Sequence, residues 1–130
     1  MVTSGESPRD PFSGYVAALI NAAVMAAEDK LARDTVVLDL RELVDSFDAL
    51  VVASGRNDRQ VRAIAEEVER LVEIALQVKP LRVEGWTSAE WIALDYGDVI
   101  VHVFDEAARE YYDLEHLWNA APAFRSASIA

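Results

Sequence analysis

FDALVVASGRNDRQVRAIAEEVERLVEIA, Phe47–Ala75, contains two apolar periodicities separated by a turn, and their order decides the fold class. The segment FDALVVAS (Phe47–Ser54) is almost continuously apolar, the pattern of a strand covered on both faces. The run then breaks. Gly55 permits backbone angles closed to other residues, and Asn57 is placed to cap a helix, with Gln60 three residues on in a capping-box arrangement. Beyond it Val61, Ile64, Ala65, Val68, Leu71, Val72 and Ala75 recur in steps of three and four and leave one apolar stripe. Arg59, Arg62, Glu66, Glu69 and Arg70 cover the wet faces. A buried strand that turns into a capped amphipathic helix is a building unit of α/β domains.

Working outward, a first helix is predicted from a Ser13 cap to about Ala32. Val16, Ile20, Val24, Ala27 and Leu31 lie at helical spacing, and the many alanines permit close packing. TVVLDL (Thr35–Leu40) reads as a strand. The helix after Asn57 lacks the glycine that favours a left-handed cap, so it runs on or ends differently beyond Ala75. PLRVEG (Pro80–Gly85) reads as a short strand at a sheet edge, because proline cannot serve an interior ladder. EWIALDYGDVIVHVF (Glu90–Phe104) supplies two strands, Glu90–Asp95 and Asp98–Phe104, joined at Tyr96-Gly97 by a hairpin with Gly97 at positive φ. Asp105 is placed to cap EAAREYYD, and Asp113 to cap LEHLW. The order helix, two strands, helix, three strands, helix predicts an α/β domain: a mixed β-sheet of about five strands flanked by helices. The passage through residues 58–76 is a right-handed crossover if its strands are parallel. Residues 1–12 read as a flexible N-terminal tail, 13–120 as the single domain and 121–130 as a flexible C-terminal tail.

The 130 residues are 52% hydrophobic. A chain of this length buries roughly two-thirds of its unfolded surface. There is no cysteine, which excludes disulfides and thiolate metal sites and suits a reducing compartment. The most apolar helical stretch, Tyr15–Ala27, is about half a membrane span, and no targeting signal precedes it. A cytoplasmic protein without a membrane partner is expected. The net charge of −11 argues against nucleic acid as the dominant partner and favours a basic one, although acidity also serves solubility.

Each chemically suggestive residue has an ordinary reading beside it. Asp95 and Asp98 could share a metal or a proton, but they flank a hairpin, where aspartate is turn chemistry. His102 lies in a valine-rich strand, as packed and hydrogen-bonded histidines do. His116 lies beside Glu115 and reads as exposed. Ser54 precedes a helix in a turn resembling a phosphate cradle, but no lysine accompanies it. Trp91 shares its strand face with Ala93 and Asp95. That face is partly wet, so the indole is either a core residue or an interface anchor.

ASGRNDRQVRAIAEEVE, KPLRVEG, WIALDYGDVIVHVF and AREYYDLEHLW occur in order over about residues 15–120. Together they resemble the ribosomal silencing factor family, RsfS or Iojap. The resemblance implies a nucleotidyltransferase-like fold, a homodimer when free, and no catalysis, cofactor or metal. It implies that the partner is the large ribosomal subunit, reached through a conserved basic ribosomal protein, the one numbered fourteen. Docked there, the protein would sterically block subunit joining and repress translation under nutrient limitation. The family's partner-binding positions fall on Trp91 and Tyr96, with Asp95, Asp98 and Glu84 close by. On a regular strand Trp91 and Tyr96 point to opposite faces, so a bend at Asp95 is needed to bring them together. Two alternatives stand beside this reading: a nucleotidyltransferase-like enzyme, for which the Asp-x-Asp after Ser54-Gly55 is missing, and a large-subunit assembly factor.

Overall fold

The computed structural model describes Phe12 and residues 14–125. Helix α1 spans Gly14–Asp29, strands β1 and β2 span Arg33–Asp39 and Ala49–Gly55, and helix α2 spans Asp58–Leu76. Strands β3, β4 and β5 follow at Arg82–Glu84, Trp91–Asp95 and Val99–Asp105, then the short helices α3 (Glu106–Tyr112) and α4 (Leu114–Leu117), and β6 (Ala123–Arg125). The Ser13 cap and the tails lie outside the described residues, apart from Phe12 and residues 121–125.

The strands form one sheet of six in the order β3-β4-β5-β2-β1-β6. The β2/β5 pair is parallel and all the others are antiparallel. The mixed sheet is as expected, but with six strands rather than about five. The sixth, Ala123–Arg125, pairs with Val36–Leu38 of β1 from a segment expected to fray. Three residues with no apolar alternation give no strand signal of their own. Their pairing depends on an edge that β1 leaves open.

One sheet face is dry. Val51, Ala53, Val99, Val101, Val103, Ile92 and Leu94 are sealed beneath α1 and α2. Alanines 22, 23, 26 and 27 are the buried face of α1 and let that helix approach closely. The helix ends at Asp29 rather than near Ala32, and Leu31, at φ 60°, stands 72% exposed.

The Asn57 half of the α2 cap forms as its sequence predicts, while Gln60 reaches one residue beyond the Asn57 N–H that a capping box uses. Asn57 Oδ1 accepts the Gln60 N–H at 2.9 Å, and Gln60 Oε1 accepts the Arg56 N–H. The Gln60 amide also donates to the carbonyls of Lys30 and Leu31, which ties the end of α1 to the start of α2. At the far end Gln77 takes the left-handed conformation at φ 59°, and its N–H reaches the Glu73 carbonyl at 2.8 Å. The helix therefore keeps the cap without the glycine that makes it cheap. Asp105 caps α3 as expected, accepting the Ala108 N–H at 2.7 Å. Asp113 does not cap α4 with its side chain. It ends α3 instead, at φ 49°.

Candidate functional site

The second sheet face is only partly covered. Val36, Leu38, Leu50, Val52 and Phe104 pack under Ala108 of α3, Ala121 and the flanks of Leu114 and Trp118. Arg109 pins this cover. Its guanidinium donates to the Ser54 hydroxyl at 2.7 Å, to the Asp34 carbonyl at 2.7 Å and to both carboxylate oxygens of Glu115. The hydrogen bonds from Arg109 hold the Glu115 carboxyl below its usual range. Ser54 is buried and its hydroxyl is engaged by Arg109, so it does not face a ligand at the start of α2. That removes the one residue that recommended a phosphate cradle. Among the described residues no group of three or more His, Cys, Asp or Glu could hold a metal ion. None of their helices is long and apolar enough to cross a membrane.

Beyond the α3 cover the sheet lies open. The registers place Arg82 beside Asp95, Glu84 beside Ala93, Ala93 beside His102 and Asp95 beside Ile100. These six side chains line a shallow cavity of about 300 Å³. The strand period of two puts them all on one face, and Ala93 leaves room in the middle. Glu84 and Asp95 give the cavity carboxylates on two adjacent strands. Asp95 also holds the hairpin: one oxygen accepts the Gly97 N–H at 2.8 Å, and the other lies 3.4 Å from Arg82.

Trp91 stands where the covered and open parts meet. It is partly buried, stacked on Phe104 at 4.8 Å between centroids and tilted against Tyr112 at 4.7 Å. Its indole N–H donates to His102 Nδ1 at 2.8 Å. Burial lowers the His102 pKa to about 4, so the ring is neutral at neutral pH. Since Nδ1 accepts, the ring hydrogen sits on Nε2. An indole held by a stack and a hydrogen bond keeps little rotamer freedom.

The structure brings Trp91, Asp95 and Glu84 onto one face. Asp98 is exposed at the hairpin tip, where its carbonyl accepts the Asp48 N–H at 2.7 Å. Tyr96 is not with them. No bend interrupts β4, and Tyr96 is 6% exposed within the core beneath α1 and α2. Its hydroxyl has no partner among the described residues, and burial raises its pKa strongly. Tyr96 thus anchors the hairpin from inside, its N–H donating to the Val99 carbonyl across the turn, and does not join the Trp91 surface. Gly97 takes φ 90° as expected.

Sequence reasoning missed Arg82, Ala93 and Ile100 as cavity walls and Tyr112 as the neighbour of the indole. Strand alternation carried the first three once the registers were fixed. No local signal places Tyr112 against Trp91, because α3 must first fold back over the sheet.

A family model described as "Ribosomal silencing factor during starvation" matches residues 15–129. The chain is 40% identical over 105 residues to a ribosomal silencing factor, RsfS, of Bacillus subtilis, covering 80% of this chain and 87% of that protein. Its structure resembles the crystal structure of a Chromobacterium violaceum protein with a TM-score of 0.77 at 38% identity, over 80% of this chain and 86% of the other. A Bacillus halodurans crystal structure matches with a TM-score of 0.70 at 38% identity, over 82% of this chain and 95% of the other.

Proposed function

The chain belongs to the ribosomal silencing factor family, and we propose that it docks through the open half of its sheet onto a basic protein of the large ribosomal subunit. The partner is the ribosomal protein numbered fourteen, and the docked domain blocks joining of the small subunit by bulk, repressing translation when nutrients are short. No chemistry is needed. The free protein is a homodimer, as the family resemblance implies.

One observation carries this reading. Trp91, locked by Phe104, Tyr112 and His102, stands beside an open cavity whose walls carry Glu84 and Asp95. An aromatic anchor rimmed by carboxylates suits a cationic protein surface. Asp98 adds charge at the hairpin tip, and Tyr96 contributes by holding that hairpin in place.

The test is co-sedimentation with isolated large subunits. Trp91→Ala is expected to weaken binding about a hundredfold, through loss of ~2.8 kcal/mol. Wild-type protein added before small subunits lowers the joined fraction, and the variant does not. Binding also weakens as salt rises, because Glu84 and Asp98 are exposed and Asp95 is partly so. Unchanged sedimentation of the variant would remove Trp91 from the mechanism.

A further inference from the structure

Of the two ring nitrogens of His102, Nδ1 alone is hydrogen-bonded among the described residues. Nδ1 accepts the Trp91 indole N–H at 2.8 Å, and no hydrogen-bond partner is present for Nε2 among the described residues. Nε2 is not sealed away. The Tyr96 hydroxyl alone is a buried side-chain polar atom without a partner among those residues. His102 also lines the cavity, opposite Ala93, whose small methyl group leaves part of the imidazole open to it. The groups facing it are Asp95 and Ala93 on β4, Arg82 and Glu84 on β3 and Ile100 on β5, with Phe104 stacked 6.3 Å away.

We infer that His102 is a positioning and recognition residue of the docking face: its Nδ1 fixes the Trp91 indole, and its Nε2–H donates to a carbonyl oxygen of the basic partner lying across the cavity. The inference rests on the docking reading above and names the partner chemistry at the cavity floor. The indole N–H is consumed internally, so it cannot serve the partner. Apart from the exposed Arg82 head, which lies 3.4 Å from Asp95, the imidazole N–H is then the donor this floor offers. A carbonyl at the centre with a cationic group toward Glu84 or Asp95 fits the arrangement of one donor between two carboxylates. The source of the carbonyl, main chain or side-chain amide, is the same chemistry to this site. Because the indole bond requires an unprotonated Nδ1, the two roles of the ring are coupled through one tautomer.

Two substitutions separate the roles. His102→Asn keeps an acceptor near the Nδ1 position and deletes the distal donor; His102→Leu deletes both. The readouts are the Trp91 Nε1–H proton resonance, assigned with Trp91→Phe, and affinity for isolated large subunits. His102→Asn is expected to leave the indole resonance hydrogen-bonded and to weaken binding about tenfold. His102→Leu is expected to move that resonance, speed its exchange with solvent and weaken binding further, toward the loss expected for Trp91→Ala. If His102→Leu does not fold, His102→Asn decides the recognition role by itself. Wild-type affinity in His102→Asn, with Trp91→Ala weakened, overturns the inference and leaves docking intact. Wild-type affinity in Trp91→Ala as well overturns the docking reading instead.

Discussion

The two faces of β4 differ in how far they are covered. Ile92 and Leu94 are fully buried under α1 and α2, while Trp91, Ala93 and Asp95, interleaved with them, are only partly covered. Five consecutive residues thus serve two purposes. The dry side is made of branched aliphatics that contribute by leaving water. The open side is made of one aromatic, one small residue and one acid: Trp91 packs at the edge of the second cluster, Asp95 holds the hairpin, and all three keep part of their surface uncovered. A sheet is two-sided by geometry, so recognition groups can alternate with core groups without disturbing them.

The largest test of this division is Leu94→Ala. It leaves a cavity under the helices and is expected to cost about 2–5 kcal/mol of stability in urea denaturation. The folded fraction should still bind large subunits as wild type does. A binding defect beyond the unfolded fraction would mean that the faces are not independent.

The next test uses pH. The folded His102 pKa is lowered to about 4 by burial, with nearby Asp95 opposing in part. The unfolded value is near 6.5, so the unfolded chain binds the proton more readily. The stability given by the neutral ring is fully present above pH 6.5 and is lost as pH falls toward 4. The gap corresponds to on the order of 3 kcal/mol. Glu67 and Glu115, both lowered by hydrogen bonds from arginine, join only below about pH 4.5. Glu69, raised by burial, acts in the opposite sense. Thermal melts between pH 7 and 4.5 should therefore fall more steeply for wild type than for His102→Asn. Parallel slopes would remove His102 as the source.

A smaller effect is expected from filling the open side. Ala93→Phe places a ring over the cavity floor without touching the dry face. Binding should fall about tenfold or more, and the urea midpoint should move little. The smallest concerns α2 alone. Gln77→Gly relieves a left-handed residue at φ 59° and should stabilise by about 0.5–1 kcal/mol, with no change in binding.

Local signals in the sequence were reliable wherever a short segment satisfies itself. The Asn57 cap, the α2 stripe, Gly97 and the Asp105 cap need only neighbours a few residues away. They were legible before any coordinates. The C-terminal cap of α2 was not, because glycine is what announces it and Gln77 adopts the geometry regardless. The chain also gave no warning of β6, or of Asp113 as an end rather than a beginning.

The site was half legible for the same reason. Trp91, Ala93 and Asp95 could be placed on a partly wet face from alternation, and the family resemblance added Glu84 nearby and gave that face a partner. Tyr96 was grouped with Trp91 by the family resemblance, on condition of a bend at Asp95. On a straight strand, a separation of five residues puts side chains on opposite faces, and nothing in the sequence says whether the strand bends.

By itself the sequence determined the α/β class, the main elements and the family, since periodicity, capping and ordered motifs are properties of short stretches and of their succession. Only the tertiary structure decided how far α3 reaches across the sheet, which strand edge β6 occupies, and that Tyr112 and His102 enclose the indole. Those contacts join residues far apart in the chain. Their energy depends on the register of one strand against another, and no local pattern encodes it.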